Sequence, residues 1–454
     1  MLLATAALVG LLSTVPTVFA LNNGVGRLPI LGYNTWNAFV CDINEDVILE
    51  TASLMQSLGL QAAGYTQMNL DDCWGEKNRS ADGLLQANAE RFPSGFNNLT
   101  SQLHAMGLSV NNAGIYSDSG WRTCQDYPGS YSNELLDAQT FQDWGFDYLK
   151  YDNCYIPFDD IIREGTMGRF QRMADAIANL SSTTGEPPLI YSLCEWGWSQ
   201  VWLWGASMAN SWRVNPLGGS AQVDNDIGAE WDSITTIINQ ASFITQATNF
   251  YGRNDMDILE VPAPRSGNGA LTYEENKSHF TAWALFKSPL LIGTNLSAAA
   301  PEIVDILANP EILAINQDPV VGTSISPFRW GVNPDWTSNS TVPAMFWSGP
   351  SENGTVFMLL NPLSEPADLW FNLTESPWIR AGRQYAVRDL WTHTDNGTAI
   401  RNFTAAAVPA HGVVALLLQD AGDEPDGIEP LCAVYCQCGS ENGTYLYGGC
   451  TTEY

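Results

Sequence analysis

The feature that most constrains the fold is an alternation of short apolar segments with amphipathic helical segments between residues 28 and 318. Strands that alternate with helices in this way pair in parallel. Eight such units favour a closed (β/α)8 TIM barrel over an open doubly wound sheet, and no glycine-rich nucleotide-binding loop follows the first strand. The predicted strands are residues 29–33, 65–70, 108–115, 188–193, 209–213, 249–253 and 288–293, and the apolar start of the stretch 146–154.

The rhythm changes after residue 318, where apolar segments follow one another without helices between them. Five strands are predicted at residues 345–347, 355–360, 368–371, 385–390 and 412–418, with turns at 351–354 and 395–397. This pattern predicts an antiparallel β-sandwich. We therefore divide the chain into a signal peptide (1–20), a catalytic barrel (21–318), a β-sandwich domain (319–420), and an acidic linker with a Cys-rich tail (421–454).

Composition predicts a secreted glycoprotein. Residues 1–20 form an apolar segment that ends in a small-residue cleavage pattern, and no later stretch is apolar enough for a membrane helix. Eleven Asn-x-Ser/Thr sequons predict N-linked glycans. The net charge of −30 disfavours nucleic acid and anionic membranes as partners, and it favours a neutral substrate and work at acid pH.

The nine cysteines are an odd number, so at least one thiol lacks an intramolecular partner. Four of them lie in the tail, at Cys432, Cys436, Cys438 and Cys450. Outside the cell we expect two disulfides there, and a zinc site is the weaker alternative.

Candidate chemistry begins in the stretch 146–154, where Lys150 and Asp152 lie two residues apart and share one face of an extended chain. A neighbouring cation lowers the pKa of a carboxyl, which suits Asp152 to act as a nucleophile, although a salt bridge at the end of a strand is the simpler alternative. The pattern recurs, since polar or aromatic groups follow at least six predicted strands. They are Trp36, Asp71, Asp72, Tyr116, Lys150, Asp152, Glu195 and Arg213.

Such a cluster could hold Ca²⁺ or Mg²⁺, but Lys150 and Arg213 would oppose a cation. Sugar hydroxyls need acceptors, donors and a stacking face together, and these residues supply all three. The sequence therefore predicts a sugar site without a metal or cofactor.

Motifs that contain these residues are similar to those of a known enzyme family. Residues 28–419 resemble the α-galactosidases of glycoside hydrolase family 27, the melibiase group, and most of all its secreted fungal members. The matching motifs are Gly32-Tyr-Asn-Thr-Trp36, Leu70-Asp-Asp-Cys-Trp74, Gly114-Ile-Tyr116, Tyr148-Leu-Lys-Tyr-Asp-Asn-Cys154, Cys194-Glu-Trp-Gly197, Ser211-Trp-Arg213 and Ile315-Asn-Gln-Asp-Pro319.

The resemblance implies a retaining enzyme that removes terminal non-reducing α-D-galactose from oligosaccharides, galactomannans or glycoconjugates by double displacement. Three alternatives stay open: an α-N-acetylgalactosaminidase, a β-L-arabinopyranosidase, and a non-catalytic galactose-binding glycoprotein. The preferred aglycone and the oligomeric state are left open as well.

By position, the resemblance makes Asp152 the nucleophile and Asp226 the acid/base, with Asp224 as the nearby alternative and Asp255 or Asp257 as more distant ones. It makes Trp36, Asp71, Asp72, Tyr116, Lys150 and Arg213 ligands of the sugar, and it places Cys194, Glu195 and Trp196 near the 2-hydroxyl. It also implies the disulfides Cys41–Cys73 and Cys124–Cys154 and leaves Cys194 unpaired.

Overall fold

The computed structural model describes residues 21–107, 113–158, 163–214, 226–261, 271–331, 338–339, 342–428, 439 and 442. The predicted signal peptide and the tail cysteines lie outside these residues. Within them, no helix has both the length and the apolar character that crossing a membrane requires.

The first half of the chain is a parallel barrel, as predicted. Its strands are β1 (Leu31–Asn34), β2 (Gln67–Asn69), β3 (Ala113–Asp118), β4 (Tyr148–Asp152), β5 (Ile190–Cys194), β6 (Ser211–Arg213), β7 (Arg253–Asp255) and β8 (Leu290–Ile292). They pair side by side from β1 to β7, and β8 pairs with β1. A parallel bridge between Leu259, just past β7, and Ile292 closes the ring.

Helices surround these strands. They are α1 (Trp36–Phe39), α2 (Glu45–Ser57), α3 (Phe96–Ala105), α4 (Glu134–Asp143), α5 (Gly165–Thr184), α6 (Trp231–Ala241), α7 (Tyr273–Leu285), α8 (Pro301–Leu307) and α9 (Pro310–Asn316). Helix α2 shows why they form: the Asn44 side chain caps its N-terminus, and Ile48, Ala52 and Met55 bury one face at helical spacing.

The second half is antiparallel. Its strands are β9 (Ser326–Arg329), β10 (Phe346–Ser351), β11 (Gly354–Leu360), β12 (Ala367–Asn372), β13 (Arg383–Asp389), β14 (Thr394–Ile400), β15 (Asn402–Val408) and β16 (Val413–Asp423). Six of them form one sheet in the order β14-β13-β16-β11-β10-β9, and β12 pairs with β15 in a second sheet. A separate apolar cluster that includes Phe357, Phe371 and Leu416 forms the core of this half.

Three local predictions were wrong. The seventh strand was predicted at 249–253, but Asn249 and Gly252 form a tight antiparallel bridge and β7 begins only at Arg253. The turn predicted at 395–397 lies inside β14, so three strands, β9, β14 and β15, were missed. The acidic linker begins later than predicted because β16 continues to Asp423, where Arg383 forms ion pairs with Asp420 and Asp423.

Candidate active site

The carboxyl ends of the barrel strands surround a cavity of about 450 Å³. Eight of the residues predicted for the site line it: Trp36, Asp71, Asp72, Tyr116, Lys150, Asp152, Trp196 and Asp226. Sequence reasoning missed Gln125, Asn153, Tyr155 and Ile156, which also line it. Three of these directly follow Asp152 in the chain, so their position after a catalytic strand was the signal that could have identified them.

Asp152 is the last residue of β4, and its side chain is almost fully buried. Its carboxylate accepts a hydrogen bond from the Asn153 backbone N–H at 2.9 Å. Burial raises the pKa of Asp152 to about 6, the Lys150 charge opposes this shift, and the nearby Asp226 charge adds to it. The neighbouring cation was expected to lower this pKa, but desolvation is the larger effect.

Lys150 makes its ion pair with Asp71 rather than along its own strand. Its ammonium lies 2.7 Å from Asp71 Oδ2, which also accepts a hydrogen bond from the Asn34 side chain at 2.8 Å. Burial opposes the charged form of Lys150, yet the charges of Asp71 and Asp152 outweigh it and raise the lysine pKa. Lys150 therefore stays charged and fixes Asp71 at the cavity wall.

Asp72 and Tyr116 complete this wall. The two oxygens of Asp72 accept backbone N–H groups of Cys73 at 2.7 Å and Gln125 at 2.9 Å. Burial nevertheless raises the pKa of Asp72 to about 6. The buried Tyr116 hydroxyl lines the cavity and has no hydrogen-bond partner in the described part of the chain, so it can bond a ligand that carries hydroxyl groups.

Asp226 lies on the loop before α6 and lines the same cavity as Asp152. The Trp36 indole N–H donates a hydrogen bond to its carboxylate at 3.1 Å, and Arg213 lies 3.9 Å away. Its alternative Asp224 is outside the described residues. The more distant candidates hold Arg213 instead, Asp257 at 2.7 Å and Asp255 at 3.3 Å. Burial raises the pKa of Asp257 to about 6 against the Arg213 charge.

The three residues at the end of β5, Cys194, Glu195 and Trp196, differ in placement. Trp196 lines the cavity with a left-handed backbone (φ 62°), whereas Cys194, Glu195 and Arg213 are not among the described residues that line it. The Glu195 carboxyl is fully buried, and burial raises its pKa well above the usual range despite the charge of Arg213. Only Trp196 of this trio therefore presents a side chain to a bound ligand.

Two disulfides brace the strand ends, Cys41–Cys73 and Cys124–Cys154, and among the described cysteines Cys194 is free and buried. The second disulfide lies on the cavity wall beside Asp118 and Asp152, so two carboxylates and two sulfurs lie within 4.8 Å of one another. Both sulfurs belong to the disulfide bond, so neither is available as the thiolate that a soft metal would need.

Two carboxylates that face one cavity at the mouth of a (β/α)8 barrel, beside aromatic rings, define a site of the glycoside hydrolase class. Residues 28–318 match the family model described as alpha galactosidase A, and residues 343–418 match the model of the alpha galactosidase C-terminal beta sandwich domain. The chain belongs to this melibiase family of glycoside hydrolases.

Curated relatives and solved structures agree with the family. The probable alpha-galactosidase B of Talaromyces emersonii is 37% identical, with 87% of this chain and 93% of the relative covered. The probable alpha-galactosidase B of Penicillium simplicissimum is 36% identical, with 90% and 98% covered. The structure of alpha-galactosidase I from Mortierella vinacea superposes with a TM-score of 0.76 at 32% identity and covers 89% of this chain and all of the other.

A β-L-arabinopyranosidase from Geobacillus stearothermophilus superposes with a TM-score of 0.71 at 18% identity, with 87% of this chain and 98% of the other covered. At that identity the likeness shows only a shared fold. The similarity to enzymes named α-galactosidases is thus the more specific one.

Proposed function

We propose that the protein is a retaining, exo-acting α-galactosidase that releases terminal non-reducing α-D-galactose from oligosaccharides, galactomannans or glycoconjugates. The observation that carries the proposal is a single cavity that holds Asp152 and Asp226 together with the hydrogen-bonding side chains Asp71, Asp72 and Lys150. Family membership adds the substrate class, since the Saccharomyces cerevisiae α-galactosidase, 30% identical, has a structure with raffinose.

The chemistry assigns one carboxyl to each side of the scissile bond. Asp226 donates a proton to the glycosidic oxygen while Asp152 attacks the anomeric carbon, so the aglycone leaves and a covalent galactosyl-enzyme forms. Asp226 then takes a proton from water, and that water displaces Asp152 from the anomeric carbon. Two inversions give net retention.

The remaining wall of the cavity recognises the sugar. The carboxylates of Asp71 and Asp72 accept hydrogen bonds from the 6- and 4-hydroxyls, and Lys150 and Tyr116 supply donors. Trp36 and Trp196 give the apolar faces of the sugar a surface to contact. Arg213 supports the site through its carboxylates rather than through the sugar. Its guanidinium forms ion pairs with Asp255 and Asp257 and lies near Asp226.

An assay with matched p-nitrophenyl glycosides tests this proposal. We expect high kcat/KM on the α-galactoside, weak activity on the β-L-arabinopyranoside, and almost none on the N-acetyl-α-galactosaminide, whose amide would meet Trp196. Proton NMR of the first-formed sugar should show α-galactose. Galactose binding without turnover would favour the non-catalytic alternative, and β-galactose as the first product would contradict the double displacement.

We further propose that the protein is secreted and carries N-linked glycans at exposed sequons. The sequon at Asn276 is an exception, because this side chain is 1% exposed and its amide donates to the carbonyls of Leu271 and Thr272. Mass spectrometry of glycopeptides from the secreted protein should find Asn276 unmodified in the folded chain. A glycan on Asn276 would contradict this placement.

A further inference from the structure

The loop that carries Asp226 is held from its C-terminal side. The Ile227 backbone N–H donates to Asp257 at 2.9 Å, and the Gly228 N–H donates to the Ser233 hydroxyl in the first turn of α6 at 3.0 Å. The N-cap residue of α6 makes no side-chain hydrogen bond to the helix. Besides its contacts with Trp36 and Arg213, the position of Asp226 therefore depends in part on what fixes the start of α6.

The C-terminal half of the chain supplies that contact. The ring of Trp231, the first residue of α6, stacks on the ring of His411 with centroids 4.6 Å apart and planes 14° from parallel. His411 lies between β15 and β16. It is tied to α7, since its Nδ1 lies 2.6 Å from Glu275 and its carbonyl accepts from the Ser278 hydroxyl at 2.6 Å.

The conformation of His411 shows that this contact is built into the fold. Its φ of 56° is in the left-handed region, which a non-glycine residue adopts at a cost that surrounding contacts must offset. Its backbone N–H bonds the Leu363 carbonyl at 3.2 Å. The second oxygen of Glu275 accepts from the Thr272 backbone in a capping box of α7, so the partner of His411 is itself fixed.

We propose that His411 is a positioning residue for Asp226 and acts on it through Trp231. The proposal rests on the function proposed above, in which Asp226 is the acid/base. It makes the C-terminal half a working part of the active site, because one histidine from that half fixes the helix that holds the acid.

The chain contains a matched control. His393, also from the C-terminal half, has a φ of 57°, and its Nδ1 lies 2.7 Å from Glu311 at the start of α9. It therefore repeats the backbone conformation and the carboxylate partner of His411. The helix that it contacts follows the last barrel strand and does not lead into the loop of Asp226.

The test compares His411→Asn with His393→Asn on two α-galactosides. Asparagine tolerates left-handed backbone, so each variant removes the ring with little added strain. One substrate has a 2,4-dinitrophenyl leaving group that departs without protonation, and the other is melibiose, whose leaving sugar needs the acid. A displaced acid should slow only the second reaction.

For His411→Asn we expect kcat/KM on melibiose to fall by about tenfold to ~10²-fold, with a much smaller change on the dinitrophenyl substrate. His393→Asn should leave both values unchanged. Equal losses on both substrates, or the same leaving-group bias in His393→Asn, would overturn the positioning role. If His411→Asn does not fold, Trp231→Leu breaks the same stack from the barrel side, and the same bias is expected of it.

Asp226→Asn, measured in parallel, separates the two proposals. If Asp226→Asn shows no leaving-group bias, Asp226 is not the acid and both proposals fail together. If Asp226→Asn shows the bias and neither His411→Asn nor Trp231→Leu does, only the positioning role of His411 fails. Bias in all three variants, with His393→Asn unaffected, supports both proposals.

Discussion

The two carboxyls proposed for catalysis are held in very different ways. Asp152 ends a barrel strand that is bonded on both sides, the residue is buried, and Cys154, two residues later, forms a disulfide. Asp226 lies on a loop, its side chain is 29% exposed, and its carboxylate contacts Trp36 and Arg213. The next loop residues, Ile227 and Gly228, bond Asp257 and Ser233.

This contrast matches what each group must do. A nucleophile attacks one carbon along one line, so a rigid strand end suits it. An acid/base serves first a leaving group and then a water, and contact with solvent lets it exchange its proton. The nucleophile is thus positioned by the backbone pairing of a barrel strand, and the acid by side-chain contacts to a loop.

The largest expected effect comes from a change to Asp152, the carboxyl on the rigid strand end. Asp152→Asn removes the nucleophile and leaves the shape of the strand end, so kcat should fall by several orders of magnitude for every α-galactoside, whatever its leaving group. Steady-state assays on p-nitrophenyl α-galactoside and melibiose measure this. Activity that survives within tenfold of the unmodified enzyme would remove Asp152 from the mechanism.

A change to Asp226, the carboxyl on the loop, should cause a smaller loss of activity. Asp226→Asn should lower kcat/KM on melibiose by roughly 10²–10⁴-fold. The pH profile of kcat/KM should no longer show a group that acts as an acid. Asp224→Asn is the matched control, because it changes the alternative carboxyl two residues away. If Asp224→Asn is the crippled variant, the acid has been assigned to the wrong residue of the loop.

Removing each disulfide in turn compares the two strand ends that the disulfides brace. Cys124–Cys154 and Cys41–Cys73 span 30 and 32 residues, so removing either should cost a similar free energy of unfolding, ~2–5 kcal/mol. Their kinetic effects should differ. Serine at both Cys124 and Cys154 should lower kcat because that bridge adjoins Asp152, whereas serine at Cys41 and Cys73 should raise KM because Cys73 follows Asp72. Identical changes in both kinetic constants would contradict this division.

Much of the barrel could be predicted from sequence because the relevant signals are local. Apolar segments with polar ends identified all eight strands in order, and each overlaps its observed strand, the seventh only at Arg253. The residues on those strand ends reach the cavity because parallel strands direct their carboxyl ends to one rim. Trp36, Asp71 and Lys150 were predictable on that basis alone.

The rest depends on tertiary contacts that no local pattern encodes. Lys150 lies two residues from Asp152, but its partner is Asp71 on another strand. Glu195 follows a strand end as Trp196 does, yet of the two only the tryptophan lines the cavity, and Glu195 is fully buried. The stack of His411 on Trp231 joins residues 180 positions apart (411 − 231), and nothing near either residue signals it.

The smallest expected effect concerns pH. Burial raises the pKa of Asp72, Asp152 and Asp257 to about 6, whereas an unfolded Asp titrates near ~3.9. Between these values the folded chain binds more protons than the unfolded one. The contribution of these groups to the free energy of unfolding is therefore complete below about pH 4 and is lost as pH rises through about 6. Carboxyls with lowered pKa, such as Asp318 and Glu275, act in the opposite direction at lower pH.

We therefore expect the Tm to decrease as pH rises from about 4 to about 7, with the net charge of −30 acting in the same direction. Thermal unfolding followed by circular dichroism across this range measures the slope. Asp72→Asn should make the slope shallower because it removes one of the titrating groups while an amide oxygen still accepts a backbone N–H. A Tm that rises between pH 5 and pH 7 would mean that burial does not raise the pKa of these strand-end carboxyls. The strand ends of the site would then be more solvated than their geometry indicates.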